Sequence, residues 1–360
     1  MSLPEHRQRK LNLLLAACSL KPGAGGIARV GRMMAKVIAD LSNSHNYRAQ
    51  SYTLEPSPES PLPNSDARRS RIRFASHMHA SALTTSHFVY DFLGMARAHC
   101  RIPFFSKPFL TYMHGIEVWE NAPRRHTLLA HRASMLLSNS AYTRDRAFRT
   151  LGHLKTVRVC WLGTEDDNPP AYSRRIERPR VLVVGRMVEG YKGHDELIRC
   201  WPKVVSKIKD AQLVIAGTGP LLAHYMKMAE NTVSDPDRIV FRGFVSDDRL
   251  SEEFSQATIF ALPSRGEGFG LVYIEAMRHN VPVLGSIHDA AAEINVDGQT
   301  GYNVDLDKPD DLADRIIYLL TNSSAAATLG ANAFHRWQQH FRFSAFSQRF
   351  TPLLDEFLGV

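Results

Sequence analysis

No stretch of this 360-residue chain approaches the ~20 consecutive apolar residues that a helix needs to span a bilayer. Leu11 to Cys18 is the apolar run behind the basic start MSLPEHRQRK, and no small-residue cleavage pattern follows it. It reads as a first strand rather than a secretory leader. Cysteine is scarce: Cys18, Cys100, Cys160 and Cys200 lie far apart with no C-x-x-C pair. That spacing argues against a disulfide scaffold and fits reduced, partly buried thiols in a cytoplasmic protein. The G-x-x-x-x-G-K-[ST] phosphate loop and the H-E-x-x-H zinc motif are both missing. There is no low-complexity block, and with 44% hydrophobic and 22% charged residues the chain is not disordered or fibrous. Its length exceeds one typical core and suits two domains.

The charge that is present is unevenly placed. Residues 1–170 hold 23 Lys and Arg against 12 Asp and Glu, whereas residues 171–360 hold 21 against 24. A basic half beside a mildly acidic one points to an anionic partner for the first: a membrane surface, a lipid diphosphate or nucleic acid. A merely solvated charged face is the competing reading.

Short aliphatic runs alternate with amphipathic segments along the whole chain, the pattern of βαβ units and parallel sheets. In the first half, strands are expected at 11–17, 48–54, 87–91, 109–114, 135–139 and 157–161, with a helix from Ile27 to Leu41 after the loop Gly23-Ala-Gly-Gly26. After Gly163 the polar, proline-bearing stretch TEDDNPPAYSRRIERP reads as a linker. The alternation then restarts, with strands expected at 180–185, 212–217, 238–242, 258–263 and 281–285. Helices are expected between them and at 309–320, 323–340 and 344–358. No sequence repeat is found, although the architecture is duplicated.

The sharpest local signal is Arg265-Gly-Glu267-Gly-Phe-Gly270-Leu-Val-Tyr-Ile-Glu275. A strand ends, a glycine loop turns and a helix begins. Unpaired amides of that first turn, at the positive end of the helix dipole, suit a diphosphate. Gly268 and Gly270 allow close backbone approach to a sugar, and Glu267 can accept hydrogen bonds from its hydroxyls. Glu275 lies about a turn and a half into the helix and points back toward its start, within reach of a ribose diol. Asp235-Pro-Asp237 and Asp305-Leu-Asp307 formally match the D-x-D of metal-dependent transferases, but both lie in polar turns where Asp caps are expected. No metal is expected.

This segment resembles the signature of glycosyltransferase family 4, in which two glutamates eight positions apart flank a G-F-G turn. Other stretches match in the same order over residues 10–345: Gly25-Gly26-Ile-Ala-Arg29, His114-Gly-Ile-Glu117-Val-Trp119, Ser138-Asn-Ser140, Gly185-Arg186 with Lys192-Gly193, Gly217-Thr-Gly-Pro220, Phe241-Arg-Gly-Phe-Val-Ser246 and Asp297-Gly-Gln-Thr-Gly301. The chain is identified as a member on that register. Membership implies the α/β GT-B fold, two Rossmann-like domains with mostly parallel sheets facing across an interdomain cleft. The boundaries expected are 1–168 for an acceptor domain and 169–343 for a nucleotide-sugar donor domain, with the helix at 344–360 a candidate to pack back on the first.

The resemblance assigns Arg186 and Lys192 to the donor diphosphate, Glu275 to the ribose, and Glu267 with the Gly268-Phe269-Gly270 backbone to the sugar. It turns the amides of Leu271 and Val272 toward phosphate and lets Gly25 and Gly26 approach it. His114, at a strand end, is implied to act near the reacting centre with Glu267; Glu117 is acceptor-side or structural. Where family members carry Asn-Gly-Val-Asp, this chain has Trp161-Leu-Gly-Thr-Glu165. That departure touches acceptor and hinge details but not the donor motifs.

The implied activity is retaining, metal-independent hexosyl transfer from UDP- or GDP-hexose to a saccharide or lipid-linked acceptor hydroxyl, with no cofactor and no nucleic-acid partner. The expected setting is cytoplasmic, with a peripheral place on the inner face of the plasma membrane. Two rivals differ in kind: a GT-B-shaped nucleotide-sugar epimerase, and a non-catalytic anionic-membrane-binding protein on a transferase scaffold.

Overall fold

A computed structural model describes residues 11–44, 47–119, 122–170 and 174–360. The chain divides into two compact units. The first holds the described residues up to Asn139 together with Thr143–Cys160 and Ser347–Val360; the second holds Ser140–Tyr142 and Trp161–Phe346.

The first unit runs β1 (Leu11–Ala17), α1 (Gly26–Ser44), β2 (Tyr47–Thr53), β3 (Asn64–Asp66), α2 (Arg71–Ser81), β4 (His87–Tyr90), β5 (Phe109–Met113), α3 (Arg124–Arg132), β6 (Met135–Ser138), α4 (Ala141–Leu151) and β7 (Val157–Val159). Its seven strands are parallel in the order β3-β2-β1-β4-β5-β6-β7. β1 is central, and Leu13 to Ala17 are wholly buried, as an unbroken apolar run covered on both faces requires. α1 buries Val30, Met33, Met34, Val37 and Ile38 at helical spacing. Chain order reverses between β1 and β4, which makes the carboxyl ends of those strands the switch point of this sheet.

The second unit runs β8 (Arg180–Val184), α5 (His194–Lys207), β9 (Gln212–Ala216), α6 (Leu222–Thr232), β10 (Ile239–Gly243), α7 (Asp247–Gln256), β11 (Ile259–Ala261), α8 (Leu271–Arg278), β12 (Val283–Ser286), α9 (Ala291–Ile294), β13 (Gly301–Val304), α10 (Asp311–Thr321), α11 (Ser323–His340) and α12 (Phe343–Leu358). Its six parallel strands lie in the order β10-β9-β8-β11-β12-β13, with the switch point between β8 and β11. From Ser347 onward α12 belongs to the first unit, where Glu356 pairs with Arg158 at 2.7 Å and Phe357 meets the His87 ring edge-on.

The described part of the stretch read as a linker is fastened to the second unit. Thr164 donates its amide to the Phe341 carbonyl at 2.7 Å and accepts from Trp337 Nε1 at 3.1 Å. Asp166 pairs with Arg278 at 2.8 Å. Arg174 donates to the carbonyls of Ala257 (2.7 Å), Thr258 (3.4 Å) and Asn280, at the carboxyl ends of α7 and α8. Burial pulls its guanidinium down to about 10. Removing the side chain leaves these carbonyls short of donors at the negative ends of two helix dipoles. Arg174→Ala is therefore expected to cost about 2–3 kcal/mol. A thermal melt should fall by roughly 4–12 °C; a melt within about 1 °C of wild type would reject this capping role.

Candidate active site

The glycine-rich signature sits at the switch point of the second sheet. Gly185 and Arg186 follow β8, and Pro263 to Gly270 follow β11, the neighbouring strand. Gly270 holds φ +80° at the N-cap of α8, and no side chain caps that helix. A Cβ at Gly270 would lie 2.3 Å from the Tyr273 ring, so the turn admits only glycine. The backbone amides of Leu271 and Val272 thus open the helix with no side-chain acceptor. Gly217, at φ +141°, lets the loop after β9 close on β8, since a Cβ there would fall 2.0 Å from the Gly185 carbonyl oxygen.

Lys192 and Glu267 meet in this crevice, Nζ to Oε2 at 2.6 Å, with side chains 15% and 18% exposed. Burial alone would lower the Lys192 ammonium, but the Glu267 charge and hydrogen bond outweigh it and hold the ammonium above its ordinary value. Arg186 is exposed, makes no ion pair among the described residues, and its charge is felt at Lys192. Lys192, Arg186, Glu267 and Glu189 all act on the Tyr191 ring hydroxyl, so both cations and both carboxylates gather at this turn. Phe269 carries its assignment through backbone alone. Its ring is buried against Phe341, centroids 6.1 Å apart, so residue 269 faces the crevice with backbone only. Glu275 is half-buried at the fifth position of α8, and its carbonyl accepts from His279 Nδ1 at 2.8 Å.

Sequence reasoning missed the brace beneath this loop. Asp289 accepts from the Glu267 amide at 3.0 Å and the Ala291 amide at 2.8 Å, and burial pushes its acid up to about 7. Ser140 donates to the Gly268 carbonyl at 2.6 Å, and Tyr191 backs Gly266 through its ring and Arg265 through its carbonyl. The signal for Asp289 was an Asp two residues before an alanine-rich helix start, a capping pattern.

The remaining assigned residues lie in the first unit. Gly25, at φ +91°, and Gly26 open α1 after β1. His114 follows β5; its Nε2 donates to the Asp91 carbonyl at 2.8 Å, and its ring stacks on Tyr112. A carbonyl only accepts, so Nε2 carries a proton. Glu117 accepts from the His114 amide at 2.5 Å and its carbonyl from His126 at 2.8 Å, which makes it a brace of this turn.

The two D-x-D matches are turns. Asp235 caps the Asp237 amide at 2.9 Å and pairs with Arg238. Asp305 accepts from the Asp307 amide at 3.1 Å. Among the described residues, His288, Asp305 and Asp307 bring potential metal-ligand atoms within 4.8 Å of one another. Arg265 and Lys308 already pair with those carboxylates, and His288 Nε2 accepts from the Leu306 amide at 3.1 Å.

Two parallel sheets, each with a switch point, and a glycine turn opening α8 at the second of them define a doubly wound α/β protein. Residues 178–322 match the family model described as glycosyl transferases group 1. A GDP-mannose-dependent alpha-(1-6)-phosphatidylinositol monomannoside mannosyltransferase of Mycolicibacterium smegmatis is 30% identical over 67% of this chain and 68% of that protein. The match to a Mycobacterium tuberculosis protein of the same description, 30% identical, spans 62% of this chain and 63% of the relative. The chain belongs to the group 1 glycosyltransferases. Among solved structures, a sucrose-phosphate synthase from Thermosynechococcus elongatus superposes with a TM-score of 0.79 at 18% identity, covering 97% and 100% of the two chains. Anabaena HepE in complex with UDP-glucose gives 0.78 at 18% identity, covering 96% and 100%. These are GT-B glycosyltransferase folds, and this chain has that fold.

Proposed function

We propose that this glycosyltransferase moves mannose from GDP-mannose to a phosphoinositide-linked acceptor with the anomeric configuration retained. The observation that carries the reading is the Lys192–Glu267 pair beside the uncapped start of α8. Its choice of nucleotide and acceptor rests on the similarity to mannosyltransferases described as acting on phosphatidylinositol mannoside. In this reading the second unit binds the donor and the first the acceptor. Lys192, Arg186 and the amides of Leu271 and Val272 neutralise the leaving diphosphate without a metal. The acceptor hydroxyl attacks on the face the diphosphate leaves, and a phosphate oxygen takes its proton. Glu267, tied to Lys192, orients the sugar and is not a nucleophile, unlike the carboxylate pair of retaining glycosidases.

A thermal-shift panel of GDP, UDP and ADP, followed by turnover with GDP-mannose and phosphatidylinositol vesicles, tests it. Ligand at ~100 Kd stabilises by about 2.7 kcal/mol. GDP should shift the melt most, and turnover should persist in EDTA with an α-linked product by NMR. Preference for UDP moves the donor to a UDP-sugar, and an inverted product rejects retention. Isomerisation of donor alone would mark an epimerase.

Glu275→Ala should weaken GDP binding by about 10- to 150-fold, the loss of charge-assisted ribose hydrogen bonds of roughly 1.5–3 kcal/mol. Calorimetry showing unchanged affinity would remove Glu275 from the site.

The acceptor reading draws the first unit to anionic membrane. No helix among the described residues is long and apolar enough to cross one. Of the apolar residues interleaved with Arg68, Arg69, Arg71 and Arg73, Phe74 is buried but Ile72 is 81% exposed. Burial lowers the Arg97 guanidinium most, and Arg125, Arg71 and Arg101 lie close enough to lower it further. At about 1 kcal/mol per basic residue, four arginines support reversible docking. Liposome co-sedimentation should require anionic lipid, weaken with salt, and drop when arginines 68, 69, 71 and 73 become Gln. Equal binding to neutral liposomes would reject it.

A further inference from the structure

The carboxyl rim of the first sheet is joined strand to strand by polar groups. The Cys18 amide after β1 donates to Asp91 Oδ2 at 2.8 Å, the Asp91 carbonyl after β4 accepts from His114 Nε2 at 2.8 Å, and the His114 carbonyl after β5 accepts from Asn139 Nδ2 at 2.9 Å. Asp91 stands at the switch point of that rim. It is 0% exposed, and its Oδ1 is a buried oxygen with no hydrogen-bond partner. Packing does not call for an acid here, because an Asn oxygen would serve the Cys18 amide without the cost of a buried charge.

Resting on the reading of His114 as a transfer residue, we propose that Asp91 is a positioning residue for the reaction. It fixes the start of the Leu20–Gly26 loop, through the Cys18 amide, and the His114 ring in one frame. α1 closes over it: a Cβ at Gly31 would lie 3.7 Å from Asp91 Cβ and 2.9 Å from Leu20 Cδ2.

Asp91 performs this as a neutral acid. Burial pushes it up to about 8, against the amide hydrogen bonds that favour the anion. The groups around it are Cys18 after β1, with Glu55 and Arg71 acting on that thiol, and His114 with Glu117 after β5; α1 presents the uncharged Gly31. The Cys18 thiol is itself raised to about 11 by burial, then by Asp91 and Glu55, so it titrates above the window. In the unfolded chain the acid titrates near 3.8. The folded state therefore holds an extra proton between about pH 4 and 8, and this group's share of stability is present in acid and lost as pH rises through that window. Above about 8 the anion is buried at a cost that its amide contacts only partly offset, and the frame loosens to admit water.

The test measures kcat and donor KM of the full chain from about pH 6 to 9.5, with GDP-mannose, or the donor the nucleotide panel selects, and phosphatidylinositol vesicles. Asp91→Ala should lower kcat on the order of 100-fold with little change in donor KM. Asp91→Asn should recover most of that loss and lack the alkaline fall of the wild type. The wild-type melting temperature should also drop more steeply than that of Asp91→Asn between about pH 5 and 8. The same alkaline limb in both proteins, or Asp91→Ala within about twofold of wild type, overturns the proposal. Should Asp91→Ala not fold, the Asn comparison decides alone. If His114→Ala keeps wild-type kcat, the reading of His114 falls. If His114→Ala loses kcat while Asp91→Asn keeps the alkaline limb, only the role of Asp91 falls.

Discussion

His114→Ala is expected to lower kcat on the order of 10²- to 10³-fold while leaving the Kd for free nucleotide within about twofold. The imidazole is a preorganised dipole. Its Nε2 proton is committed to the Asp91 carbonyl, its ring is stacked on Tyr112, and the amide of the same residue is held by Glu117. In the proposed reading Nδ1 is the atom that meets a sugar hydroxyl at the reacting centre. An interaction that strengthens only as charge develops in the transition state appears in kcat rather than in nucleotide affinity. Steady-state kinetics with calorimetry on the same protein makes the check. If both constants stay near wild type, His114 to Trp119 is a structural turn.

Lys192→Met is expected to act twice. It leaves Glu267 as a largely buried carboxylate without its cation, a loss of about 3 kcal/mol or more. That should lower the melting temperature by roughly 6–12 °C. It also removes one of the cations proposed to meet the diphosphate, so nucleotide affinity should fall on the order of 100-fold. The pair Lys192→Met with Glu267→Gln separates the effects, because the second change discharges the stranded acid. Stability should return in the double variant and affinity should not. Recovery of both would show that the ion pair serves folding alone, and recovery of neither would show that the stranded Glu267 charge is not the source of the lost stability.

The central strands were legible from their composition. Leu11–Ala17, Arg180–Val184 and Gln212–Ala216 begin where unbroken aliphatic runs predict, because a strand covered on both faces tolerates little else. The helices α2, α3 and α4 and the strands β3 and β13 were not anticipated. α2 is RIRFASHMHAS, with three buried residues, and α3 is RRHTLLAHR. Their cores are too narrow and their basic content too high for an apolar stripe to stand out, and packing against the sheet supplies what propensity lacks. The described part of the stretch read as a linker shows a related effect. Polar, proline-bearing sequence looks unattached locally, yet Thr164, Asp166 and Arg174 are held by partners 90 or more positions away, save for Arg174's bonds to Ala257 and Thr258 at 83 and 84.

By itself the sequence determined the βαβ rhythm and the loop that needs glycine at 270, since periodicity and backbone freedom are local properties. It also supplied the cations that suit a diphosphate. Only the tertiary structure decided the order of strands, and with it the two switch points, because parallel pairing joins segments far apart in sequence. It turned Phe269 inward, set Asp289 under Glu267, and enclosed Asp91 between Cys18 and His114. An aspartate in sequence carries no mark of its burial. Its proton affinity is set by the neighbours that fold around it.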